Sequence, residues 1–168
     1  MESSLCSCVL AKIEDQVGRV DRLASLVPPD RLDWTPPIPR AFSLGVLLGH
    51  LMDCLAGICA VLHASNPERL QHFLELKALG ANQPLASAEA RTRAALYLDH
   101  IREGFSLLQD GDLGRRIPTV FVPEGEPLLS LLLINFEHLA SHKYQLFVYL
   151  RMLGRAVGSS DLYRFSGR

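Results

Sequence analysis

Residues 41–62 are almost continuously apolar, and this run limits the possible folds more than any other part of the chain. Leu44, Leu47, Leu48, Leu51, Leu55, Ile58 and Leu62 recur so closely that a helix built from them has little polar surface. Such a helix must be covered on most sides, by lipid or by protein. Near its middle stand His50 and Asp53, and two ionisable groups at that depth are costly in hydrocarbon. A helix buried by other segments of protein is the expectation, and no membrane partner is anticipated. Ser43 is placed to cap its start, and it should run to about His63.

The rest of the chain supplies candidate cover. Over residues 5–27, Leu5, Val9, Ile13, Val17 or Val20, Ala24 and Val27 recur with charged residues between them, the pattern of a half-buried amphipathic helix. Pro28 and Pro29 should end it. Residues 30–40 hold Pro36, Pro37 and Pro39 around Trp34, which predicts an ordered, extended crossing with the indole as a packing anchor. A short helix is expected over 67–79, capped by Asn66 and closed by Gly80. Ser87 should cap a further helix to about residue 109, with Leu96, Ile101, Phe105 and Leu108 as its apolar surface. Residues 110–126 contain three glycines and two prolines, so a loop with at most short extended pieces is expected. Pro127 fits the first position of a last helix that runs to about Leu153 and stops at Gly154. Residues 155–168 form a short tail. Each apolar stripe must be buried against another, which predicts an all-α chain: one four-helix bundle over residues 1–168 with one or two short accessory helices.

A chain of 168 residues can bury a sufficient core as one domain, and 48% hydrophobic against 21% charged residues excludes a disordered class. The formal charge of -1 and the absence of any Lys/Arg run beyond Arg115-Arg116 give no surface for tracking phosphates. No nucleic-acid partner is expected. Cys6, Cys8, Cys54 and Cys59 do not form a disulfide framework; they read as packing or surface thiols in a reducing compartment. The N-terminus has no export pattern, so a cytoplasmic location is expected.

The chemically loaded residues are histidines. His138 and His142 are four apart on the last helix, so they share a side, about 40° apart, with Gln145 close by at the same edge. They interrupt a stripe expected to face the bundle interior. On the second helix the same arithmetic puts Cys54 and Gly57 beside His50, with Asp53 on the flank. Two imidazoles so spaced can converge on one ion, with a third ligand from a neighbouring helix. The protease pattern H-E-x-x-H is excluded, because Leu139 stands where its glutamate would be. The spacing alone is weak evidence for metal and fits a chance or core-packing pair better.

Two stretches carry a family resemblance. The first is Phe42-Ser43-Leu44-Gly45-Val46-Leu47-Leu48-Gly49-His50-Leu51, preceded by Leu32-Asp33-Trp34-Thr35-Pro36-Pro37. The second is His138-Leu139-Ala140-Ser141-His142-Lys143-Tyr144-Gln145-Leu146, followed by Tyr149-Leu150-Arg151 and Leu153-Gly154. In order and separation they resemble the DinB/YfiT-like family of metal-dependent helical bundles. The resemblance implies a four-helix bundle with up-down-down-up order, often a homodimer, and a metal triad falling on His50, His138 and His142. Gln145 matches the family's usual glutamine. Zinc or nickel is the implied ion, with a low-molecular-weight thiol as a further cofactor and a small molecule as substrate. The implied function is a metal-dependent, thiol-using S-transferase; a metal-dependent hydrolase and a non-catalytic metal-binding, ligand-binding or dimerisation domain are the alternatives. No catalytic side chain beyond the metal ligands is assigned.

Overall fold

The computed structural model describes residues 4–119 and 122–163, apart from the side chains of Lys77 and Ala78. The last five residues of the expected tail lie outside the described residues. Four helices dominate: α1 (Leu5–Ala24), α2 (Leu44–Ser65), α3 (Ser87–Ser106) and α4 (Leu128–Met152). A 3₁₀ helix, Gln71–Leu79, lies between α2 and α3, and a two-residue antiparallel ladder of β1 (Arg116–Ile117) and β2 (Glu126–Pro127) precedes α4.

The directions follow from which residues meet. Ser87 Oγ donates to the Ala24 carbonyl at 2.5 Å, Arg91 pairs with Asp21 and Arg102 with Glu14, so α1 and α3 run antiparallel. Cys59 Sγ approaches the Tyr97 carbonyl, and Leu85 N–H donates to the Gly45 carbonyl, so α2 and α3 run parallel. His50 of α2 meets His142 of α4 while Gly57 faces Asn135, so these two are antiparallel. Lys143 of α4 bonds Gln16 of α1, and Leu133 and Phe136 flank Cys8, Val9 and Lys12, so that pair is parallel. The order is up-down-down-up, with α2 packed between α3 and α4 and α1 diagonally opposite it.

This placement solves the problem posed by the apolar run. Among the described residues α2 is the one helix long and apolar enough to cross a bilayer, yet Leu44, Leu47, Leu48, Leu51, Leu55, Ile58 and Leu62 are all fully buried inside the bundle. Its exposed N-terminal amides are accounted for one by one. Leu44 N–H donates to the Trp34 carbonyl at 3.0 Å, Gly45 N–H to the Leu32 carbonyl at 2.8 Å, and Val46 N–H to Ser43 Oγ at 3.3 Å. The proline-rich crossing is thus a cap as well as a connection, and Trp34 packs edge-on against Tyr149 of α4.

Several boundaries differ from the sequence expectation. α1 ends at Ala24, and the backbone tightens through Val27 before the prolines. The accessory helix starts at Gln71 and is 3₁₀; Asn66 is spent at the C-terminus of α2. Ser87 is the first residue of α3 rather than its cap, because its hydroxyl is drawn to Ala24. Pro127 caps α4 from just outside. Leu96 is 41% exposed, since the buried stripe of α3 runs Ala90, Ala94, Tyr97, Ile101 and Phe105 and leaves it on the outer side. Leu5, at the helix start, is exposed too.

Two polar anchors fix the periphery. Asp110 accepts from the N–H groups of Leu5 and Cys6 at 2.8 and 2.9 Å, satisfying the start of α1 from 105 residues away. Lys143 is buried, with its Nζ on Gln16 Oε1 at 2.6 Å and on the Leu162 carbonyl at 2.8 Å, which pulls the chain after α4 onto the bundle. Burial holds the pKa of this lysine below its usual value.

The two backbone donors hold the Asp110 carboxyl below the usual carboxylate range. A depressed carboxylate stabilises the fold above its unfolded pKa and ceases to as pH falls through the folded one. Asp110→Ala is therefore expected to lower the urea midpoint at neutral pH, with the difference from the parent chain shrinking below about pH 4. Unfolding curves at neutral and acid pH check this.

Candidate metal centre

The three candidate ligands meet at the seam between α2 and α4. His50 Nε2 lies 3.1 Å from His142 Nε2 and 3.2 Å from His138 Nε2. The three ligand nitrogens all fall within 4.8 Å of one another. They are the one such cluster of His, Cys, Asp or Glu among the described residues.

The far side of two rings determines what these nitrogens can do. His50 Nδ1 lies 3.0 Å from Asn82 Oδ1, and His142 Nδ1 lies 2.8 Å from Gln145 Oε1. An amide oxygen only accepts, so each Nδ1 carries the proton and donates. In the neutral rings each of the two Nε2 atoms then presents a lone pair. Two lone pairs facing one another at 3.1 Å have no proton between them, and a proton on His138 Nε2 can serve only one of its neighbours. The cluster is short of positive charge. Tetrahedral zinc with Zn–N of 2.0–2.1 Å separates its nitrogens by about 3.3 Å, close to the two spacings that His50 Nε2 makes here. The residues present therefore fit a divalent ion.

Burial reinforces the neutral state. Desolvation, then the neighbouring imidazole of His50, holds His138 below the usual histidine range. His142 is lowered mainly by burial, against the raising influence of its bond to Gln145. Neutral imidazole is the form that ligates metal.

The supports are built into the backbone. Asn82 sits in the left-handed region at φ 51°, and its N–H donates to Asp53 Oδ2 at 2.6 Å. That carboxylate also stands 4.0 Å from His50 Nδ1. The loop carrying Asn82 crosses α2 at Gly49, where an added Cβ would fall 1.8 Å from the Gln83 carbonyl oxygen. Only glycine permits this approach. On the other side Gln145 Nε2 donates to Tyr149 OH at 2.8 Å, and Tyr149 packs on Trp34. Phe42 lies over both His50 and His142, with ring centroids 5.1 and 6.1 Å away.

The structure brings His50, His138 and His142 together, but at a different depth from that expected. Most buried residues of α4, Leu128, Leu132, Leu139, Lys143, Leu146 and Leu150, form a stripe turned by roughly a quarter of the helix from His138 and His142, with Phe147 beyond it and Tyr149 buried on the histidine side. Consequently His138 is exposed and His142 half-buried, at the rim of the seam rather than in the interior. An ion held there would keep a face toward solvent. Cys54, expected beside His50, is packed in the core, where burial pushes its thiol up to about 12. His63, His72 and His100 lie apart from the cluster, and His72 pairs with Glu103 at 2.9 Å. Asn82 was missed altogether: it is 32 residues from His50, and the sequence signal for it is only an asparagine after Gly80.

Because the folded chain resists protonating His138 and His142, the unfolded chain takes up protons first as pH falls below about 6.5. Stability of the metal-free protein is thus expected to be fully present above that value and to decline as pH falls below it. Urea unfolding at several pH values checks this, with His138→Gln/His142→Gln as the comparison. The double variant should show a flatter dependence; an identical one would contradict the assignment of neutral rings.

Similar proteins agree with the architecture. A crystal structure of a DinB-like protein from Bacillus subtilis superposes with a TM-score of 0.66 at 19% identity, covering 89% of this chain and 94% of that one. A mycothiol-dependent maleylpyruvate isomerase superposes with a TM-score of 0.61 at 13% identity, covering 94% of this chain and 64% of that one. No curated protein sequence matches the chain. The sequence profile of the DinB superfamily matches residues 12–146, from the middle of α1 through both histidines of α4. This chain belongs to the DinB superfamily.

Proposed function

We propose that the chain is a metal-dependent enzyme that holds one divalent ion on His50, His138 and His142. Zinc or nickel suits three imidazoles. The observation that carries the reading is the approach of His50 Nε2 to His142 Nε2 at 3.1 Å, with the other nitrogen of each ring committed to an amide oxygen. Three neutral ligands would leave the ion its charge and an open position, which is the arrangement of reactive rather than structural sites.

The reaction class we propose is S-transfer from a low-molecular-weight thiol to an electrophilic small molecule. A bound divalent ion lowers the pKa of a coordinated thiol, so that a nucleophile is available at neutral pH without a dedicated base. The family placement supports a small-molecule reaction, and one solved relative by fold is named as mycothiol-dependent. The chain's own residues would do the rest. Asn82 and Gln145 fix the tautomer and orientation of His50 and His142. Asp53, half-buried beside the outer nitrogen of His50, would help hold that imidazole in place. Phe42 screens the two rings from water on one side.

Zinc titration of untagged protein against a chromogenic chelator tests the ion. One equivalent is expected to bind, with His142→Ala losing it. Gln145→Ala and Asn82→Ala should bind about 10–100-fold more weakly. A His142→Ala chain with unchanged zinc affinity would overturn the site. Thiol-transfer chemistry is tested separately, by following loss of free thiol in the zinc-loaded protein with a panel of thiols and a chromogenic electrophile; turnover should disappear in His142→Ala.

A further inference from the structure

A cavity of about 420 Å³ lies between α2 and the 3₁₀ helix Gln71–Leu79. That volume lies within the range of small-molecule sites. Its floor is the one side of α2 made of small residues, Ala56, Gly57 and Ala60; the facing wall is Phe73 and Leu76. Elsewhere α2 fills its surroundings with leucine, isoleucine and methionine. The space therefore results from side-chain size under an existing cover.

The cover is pinned in place. Phe73 is buried, His72 Nε2 pairs with Glu103 of α3 at 2.9 Å, and Arg93 Nη1 donates to the Leu79 carbonyl at 2.6 Å. Gly80 then turns the chain at φ 67°. Ala60 and Leu74 are exposed at the rim, so the cavity opens to solvent.

The ends of the cavity are polar and unlike each other. His63 marks one; Asp53 marks the other, ten residues and about 15 Å away along the helix. Asp53 belongs to the metal centre as well, because its carboxylate lies 4.0 Å from His50 Nδ1 and takes the Asn82 N–H. A molecule in the cavity thus has one end near the outer nitrogen of His50, behind the ring that faces His138 and His142. A carboxylate at that end repels an anion and accepts from a donor.

From this geometry we infer that the cavity between α2 and the 3₁₀ helix binds the apolar or aromatic body of an uncharged or amine-bearing small molecule, with a hydrogen-bond donor on Asp53. We assign it as a ligand pocket coupled to the metal centre through Asp53 and His50 Nδ1, an assignment that rests on the function proposed above.

N-phenyl-1-naphthylamine, a neutral apolar fluorophore with one N–H, serves as the probe in the full chain. Saturable binding at one site is expected, weakened at least tenfold in Ala56→Phe, which fills the cavity. Ala60→Phe, at the exposed rim where folding is not at stake, should weaken it as well. Both variants should keep the zinc affinity of the parent. Wild-type probe affinity in both variants, or no saturable binding in the parent, would overturn the pocket. In cobalt-loaded protein the probe should also shift the visible absorption bands, and unshifted bands under saturating probe would overturn its assignment to the metal centre. His142→Ala should still bind the probe; a parent chain that binds the probe but no metal would refute the proposed function while leaving the pocket standing.

Discussion

A helix that is apolar on every side can place ionisable groups only where its neighbours stop covering it, and most of this structure follows from that constraint on α2. α3 takes one side of α2 and α4 another, and the proline-rich crossing closes its start through the Leu32 and Trp34 carbonyls. What remains near the start of the helix is a gap at the turn from His50 to Asp53. The antiparallel course of α4 brings His138 and His142 to the same gap. The site is therefore a consequence of packing order.

Within that gap the decisive matter is where protons sit. Asn82 and Gln145 reach the outer nitrogens of two rings from opposite sides and leave the inner nitrogens facing each other at 3.1 Å. Gly49 lets the Asn82 loop come close enough, and the line from Gln145 through Tyr149 to Trp34 ties the other side to the crossing that caps α2. Fold elements that look like plain connections thus hold the imidazoles in one orientation. Rigid support of this kind is what a metal ligand set requires.

The four helices were legible because hydrophobic period, caps and breakers agree: Ser43, Gly80 and Gly154 act where the sequence placed them. His138 and His142 could be paired by helical arithmetic, and His50 joined them through family resemblance. The depth of the site was not legible. Apolar residues on α4 are so many that the buried stripe is ambiguous, and Lys143 on it is stabilised by partners at Gln16 and Leu162 that no local pattern announces. Leu96 misleads for a similar reason, since the true stripe of α3 relies on alanines. Asn82 and the cavity wall lie in the crossover between α2 and α3, where long-range contacts rather than periodicity fix the backbone.

The central claim is that the facing lone pairs of His50 and His142 are arranged for a cation. A crystal structure of the zinc-loaded chain, with anomalous data on both sides of the zinc edge, tests it most directly. The account predicts one anomalous peak at the α2–α4 seam, about 2.0–2.1 Å from Nε2 of His50, His138 and His142, with Asn82 and Gln145 still on the two Nδ1 atoms. A loaded crystal with no peak there, or with the three rings turned apart and zinc bound elsewhere, would contradict it.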